Sequence, residues 1–185
     1  MNKLPAVALF AAAAAVSACS SNTKKAREAN PAPCPNIVVL TEASRLIEFD
    51  GEETLENVAY SGEVVDVTST CRYYGDKPIE AGVTLDLAFG RGPKGGADKK
   101  TFNYFVAVTR KDSEVIAKEV FPVEVNFDDS RPIEVKRVDV DRIFITRAGE
   151  NTSGTNFEII VGLAVTPQQA IFNRSGKSLK FPNLK

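Results

Sequence analysis

Three cysteines, at positions 19, 34 and 71, carry the most distinctive chemistry in this 185-residue chain, and no histidine accompanies them. A cysteine needs a nearby base or cation to act as a nucleophile at neutral pH. Histidine is the commonest general base and the commonest metal ligand, so its absence removes both roles at once. No C-x-x-C spacing is present to support a thiolate metal site. Asp139-x-Asp141 with Glu150 has the outline of a calcium loop, but Ile143 stands at a ligand position and Phe144 where the loop needs glycine. Asp128 and Asp129 are adjacent in a turn, whereas a glycosidase pair must face each other across a cleft. Ser21-x-x-Lys24 has a Ser–Lys spacing but lies in a polar stretch with nothing to hold it in place. The segment from Gly90 to Lys100 is glycine-rich but lacks the Lys-Ser/Thr pair of a phosphate loop. Tyr73 and Tyr74 are adjacent aromatics that could offer, with that loop, a stacking surface for a small ligand or sugar; packing at a strand end is the competing reading.

Cys19 closes a recognisable N-terminal pattern. Met1 to Lys3 is weakly positive and Leu4 to Val16 is an apolar run, long enough for a signal-peptide core and too short to span a bilayer. Small residues Ser17 and Ala18 follow. Val16-Ser17-Ala18-Cys19 resembles the lipobox of bacterial lipoproteins, with Val16 in place of the usual Leu. The resemblance implies that residues 1–18 are a signal peptide, that Cys19 receives a diacylglycerol thioether, and that its new amine is acylated. An ordinary secretory signal with A-x-A-like cleavage is the alternative. Two or three acyl chains anchor stably, because each buried CH₂ contributes about 0.8 kcal/mol. Ser20, a non-Asp residue after the cysteine, implies by the same resemblance transfer to the outer membrane. Residues 19–33 hold no large apolar side chain and read as a flexible tether, averaging roughly 20 Å end to end. Lys24, Lys25 and Arg27 within it could touch anionic headgroups.

With Cys19 lipidated, Cys34 and Cys71 remain. An exported compartment permits a disulfide between them, which would fasten the end of the tether to the body of the domain. Two free thiols are the alternative.

The elements that must position these residues follow from period-two patterning. Val83, Leu85, Leu87 and Phe89 alternate with polar or small residues, as do Val123, Val125 and Phe127, and Phe157, Ile159, Val161, Leu163 and Val165 share one face. Val65, Val67 and Cys71 are expected on one face of another strand, with Val64, Asp66 and Thr68 opposite. Residues 102–109 are apolar on both faces, which suits a central strand. A polar turn at 111–114 leads into a strand from Val115, and Pro122 places that strand at an edge or bulge, with its register drifting near Glu119. Residues 133–140 and 142–147 read as two further strands. Residues 42–49 fit either a short helix or a strand, and the Gly90–Lys100 segment reads as a mobile loop. Thr166-Pro167-Gln168-Gln169 starts a short helix through about Phe172.

About seven or eight strands and a short C-terminal helix predict an all-β domain over residues 34–185, an immunoglobulin-like antiparallel β-sandwich, with a small closed barrel as the alternative. The 23 basic and 24 acidic residues nearly cancel, which argues against a nucleic-acid partner. The mature region resembles uncharacterised proteobacterial envelope lipoproteins with a Cys-Pro start and a sandwich-like body, a resemblance that brings no activity with it. The expectation is a lipid-anchored protein on the periplasmic face of the outer membrane, without enzymatic activity or cofactor. Its partners would be the membrane, through its lipid, and an envelope protein. A small-ligand or glycan-binding domain is the second reading.

Overall fold

The computed structural model describes residues 33–111 and 114–184. Cys19, the signal peptide and residues 20–32 of the tether lie outside the described residues. Eight strands form a β-sandwich: β1 (Asn36–Val39), β2 (Arg45–Phe49), β3 (Val58–Arg72), β4 (Ile79–Arg91), β5 (Lys99–Arg110), β6 (Glu114–Asn126), β7 (Ile133–Ile145) and β8 (Phe157–Leu163). One sheet runs β1-β8-β5-β6 and the other β2-β3-β4-β7. Every pairing is antiparallel except β1 with β8. The sandwich expectation holds as architecture, two sheets face to face and antiparallel but for the β1–β8 pair; the order of strands is the molecule's own.

The core lies between the sheets and follows the alternation. Val83, Leu85, Leu87 and Phe89 of β4 turn inward against Phe157, Ile159, Val161 and Leu163 of β8. Phe89 stacks on Phe102 of β5 with ring centroids 4.4 Å apart. Burying each such side chain stabilises by roughly 1.5–3 kcal/mol. β5 is central and buried on both faces, as its composition predicts. Its outer residues Phe105 and Ala107 are covered by Ala43, in a single 3-10 turn at Thr41–Ala43. That approach needs Gly162, whose added Cβ would meet the Ala43 side chain at 2.7 Å. Residues 42–49 thus resolve into the end of this turn followed by strand β2.

The helix α1 (Pro167–Arg174) starts where expected, with Pro in its first turn and a reciprocal capping box between Thr166 and Gln169. Its Asn173 side chain donates to the Glu42 and Arg45 carbonyls, seating the helix on the turn and on β2.

Bulges account for three departures from the sequence reading. Val65 is the extra residue in β3 opposite β4, so the inward face switches from Val64 before it to Val67 and Cys71 after it. Val64 and Cys71 both pack on the core while Val65 is exposed, reversing the expected sides of Val64 and Val65. Residues 133–140 and 142–147 are not two strands: β7 runs through to Ile145, with Asp141 and Arg142 together opposing Gly82 and Arg142 at positive φ. The irregularity in β6 falls at Ile116 rather than near Glu119. Pro122 does sit on an edge strand, since β6 pairs only with β5. The Gly90–Lys100 segment is pinned rather than loose. Gly92 and Lys94 donate backbone hydrogen bonds to Ala59 and Val58, and a Cβ on Gly92 would come within 2.3 Å of the Val58 carbonyl oxygen. Gly90, Gly92 and Gly95 serve close approach rather than flexibility.

Candidate functional site

Cys34 and Cys71 form a disulfide, as expected. It ties the segment before β1, in one sheet, to the end of β3, in the other. Tyr73 reinforces the same place. Its hydroxyl donates to the Pro33 carbonyl at 2.6 Å and accepts from the Gly154 amide at 2.9 Å. The Arg147 guanidinium lies 5.2 Å from the Tyr73 ring centroid and donates to the carbonyls of Gly75, Lys77 and Glu150. Tyr73 is thus committed to holding the fold at Pro33 and Gly154, while the neighbouring Tyr74 is exposed. The structure does not bring this pair to the Gly90–Lys100 segment. The tyrosines precede β4 and that segment follows it, and a strand of 13 residues separates its ends by about 40 Å.

Asp128, Asp129 and Asp139, singled out in the sequence, are engaged by separate partners. Asp128 accepts from the backbone and hydroxyl of Ser130, which hold its pKa below the ordinary value. Asp129 and Asp98 both accept from Arg91. Asp139 accepts from the Thr84 hydroxyl. Asp86 makes a two-pronged pair with Arg137, which lowers its pKa. Glu42 is lowered chiefly by a backbone hydrogen bond and then by Arg174. These shifts all favour the ionised form, the opposite of what a general acid at neutral pH requires. Among the described residues, no three of Cys, Asp and Glu group to hold a metal ion. No buried side-chain polar atom among them lacks a hydrogen-bond partner.

Two surface features stand out instead. The first is the start of β6. Every residue from Glu114 to Val120 is exposed, and Val115 and Val120 keep 61% and 51% of their surface open. Their partners across the ladder are Thr109 and Phe105, so Val115, Lys118 and Val120 lie together on the outer face, with Ile116 bulged beside them. The strand is guarded against simple pairing by that bulge, by Lys118 and Glu119, and by Pro122. What it offers is an apolar side-chain patch.

The second is an apolar cleft of about 210 Å³ on the outer side of the second sheet. Leu46 and Ile47 of β2, Val58 of β3 and Gly90 of β4 line it, and the C-terminal residues 181–184 strap one side. Arg45 holds the strap. Its guanidinium donates to the carbonyls of Ser178 at 2.7 Å and Pro182 at 3.0 Å, and to the Asn183 side chain at 2.8 Å. Glu63 lies 3.8 Å from that guanidinium and accepts the Leu184 amide.

Sequence reasoning missed Arg45, Glu63 and the strap. The signal available was a C-terminal tail rich in apolar residues, Leu179, Phe181 and Leu184, which a disordered end would not need.

No family model matches the chain. No curated protein matches it, and neither does any solved structure.

Proposed function

We propose that the protein is a bacterial lipoprotein of the envelope, anchored through Cys19 to the periplasmic face of the outer membrane, and that it acts by binding a protein partner rather than by turning over a substrate. The exposed apolar patch at the start of β6 supports this reading above all. Monomeric proteins tolerate isolated apolar residues on their surface, but three bulky ones grouped on one edge strand are the usual mark of an interaction surface. Asp86 and Asp128 are held in the ionised form by their partners, which does not suit either to general acid work at neutral pH. The lipobox-type N-terminus and the tether would hold the patch close to a membrane-bound partner, raising its effective concentration without adding contacts.

The test is a pair of charge substitutions, Val115→Glu and Val120→Glu, in the full anchored chain. Both sites are exposed, so folding is expected to survive. The double variant is expected to lose partner capture in cells while its unfolding midpoint stays unchanged. Full retention of capture would overturn the assignment of this patch. Loss of function on neutralising one exposed carboxylate, with folding and capture intact, would point to catalysis instead.

A further inference from the structure

We propose that the cleft on the second sheet is a recognition site for an extended peptide segment of a partner protein, and that the molecule's own residues Phe181–Leu184 fill it in cis. The contacts on the strap are of the kind that read an extended chain. Within the strap Arg45 binds the Pro182 carbonyl at 3.0 Å and the Asn183 side chain at 2.8 Å, with a longer contact to the Phe181 carbonyl at 3.4 Å; its bond to Ser178 falls on the 3-10 turn just before the strap. Glu63 receives the Leu184 amide at 3.0 Å. Both charged side chains are nearly buried, 10% and 14% exposed, so their partners are fixed by the fold and not shared with water. Main-chain groups are common to all peptides, and the same pair would hold any segment laid along the same path.

Selectivity comes from one notch. Gly90 has no side chain, and Leu184 occupies the space; a Cβ at Gly90 would lie 2.9 Å from a Leu184 methyl carbon. A leucine at this point of the incoming segment is therefore preferred.

The strap also leaves the cleft underfilled. A solvent-open space of about 210 Å³ remains beside the strap, with Leu55 and Ile133 exposed at its rim. Pockets for drug-sized molecules run from about 300 Å³ upward. The space here suits a single large side chain of a peptide better than a whole small ligand. A partner segment with a bulkier apolar residue beside its leucine would cover more of the rim than the strap does. Residues 181–184 belong to no strand or helix, and the chain reaches them past Gly176 at positive φ, so the strap can leave without breaking a strand. This site lies on the opposite sheet from the β6 patch, and its test is independent of that one.

The experiment titrates a fluorescein-labelled hexapeptide, Lys-Phe-Pro-Asn-Leu-Lys, against the full chain and against its Leu184→Asp variant, reading anisotropy. A cis strap competes at an effective concentration in the millimolar range. The peptide is therefore expected to bind L184D at least tenfold more tightly than the parent chain. Adding Gly90→Leu to L184D fills the notch and is expected to abolish binding, and a scrambled hexapeptide is expected not to bind. Circular dichroism and urea unfolding confirm that each variant is folded, and a chain ending at Lys180 carries the same test if L184D folds poorly. No saturable binding to the folded released variant, equal binding to both chains, or equal binding of the scrambled peptide would each overturn the proposal.

Discussion

Replacing Arg45 with methionine should be among the most damaging single changes to this fold. The side chain is 10% exposed and donates to Ser178, Phe181, Pro182 and Asn183 while sitting 3.8 Å from Glu63. Methionine fills much of the same volume, so little of the effect comes from a cavity. The loss comes from carbonyls left without a donor and from a Glu63 carboxylate left nearly buried beside no cation. Breaking one side of a buried pair typically costs about 3–5 kcal/mol. The strap can peel away and rehydrate its carbonyls, which places the expected loss at the lower end, about 3 kcal/mol. With a urea slope near 2 kcal/mol/M, the unfolding midpoint should fall by roughly 1.5 M. Glu63→Gln in the same background should restore about 1 kcal/mol or more, because it removes the stranded charge. Urea titration by far-ultraviolet circular dichroism reads the parent chain and both variants. A loss below about 1 kcal/mol for Arg45→Met, with unchanged slope, would show that Arg45 does not hold the strap and would refute this reasoning.

The remaining predictions are shorter. Cys71→Ser removes a bridge between residues 37 apart in sequence, and the chain-entropy model puts the cost at about 4 kcal/mol; an unchanged unfolding midpoint would contradict it. Asp86, Asp128 and Glu42 have folded pKa values below their unfolded ones, so their contribution is present above the unfolded values and is lost as pH falls through the folded ones. With no histidine to titrate, the thermal midpoint should be nearly flat from about pH 8 to 5 and should drop below about pH 4; a break near pH 6.5 would count against this. Cys19→Ala should abolish lipid labelling and release the domain from the membrane fraction, and unchanged fractionation would refute the anchor.

The strands were legible where alternation ran unbroken. Leu85, Leu87 and Phe89, or Phe157 to Leu163, declare a buried face because a strand turns every second residue inward. Alternation fails to report a bulge, which adds one residue and inverts the faces beyond it. That is why alternation puts Val65 on one face with Val67 and Cys71, and why β7 reads as two pieces broken at Asp141. Glycine-rich composition likewise says nothing of whether glycine serves freedom or close approach, so the Gly92 contact with Val58 was invisible. The lipobox resemblance sets Cys19 aside and so points to the Cys34–Cys71 bridge, whereas the Tyr73 ring draws attention when its hydroxyl is what the fold uses. The Arg45–Glu63 grip joins residues more than a hundred positions from the strap they hold. Such contacts leave no local pattern to read.

The central claim, that the domain works by binding through β6, is tested most directly by site-specific photocrosslinking in cells. A photoreactive residue is placed at Val120 in the full anchored chain, with the exposed Thr68 on the second sheet as control. The account predicts one discrete protein adduct from position 120 that disappears with Val115→Glu and weakens with Cys19→Ala. Position 68 should give none of it. The same adducts from both positions, or no adduct from 120 in cells where the protein is needed, would contradict the account.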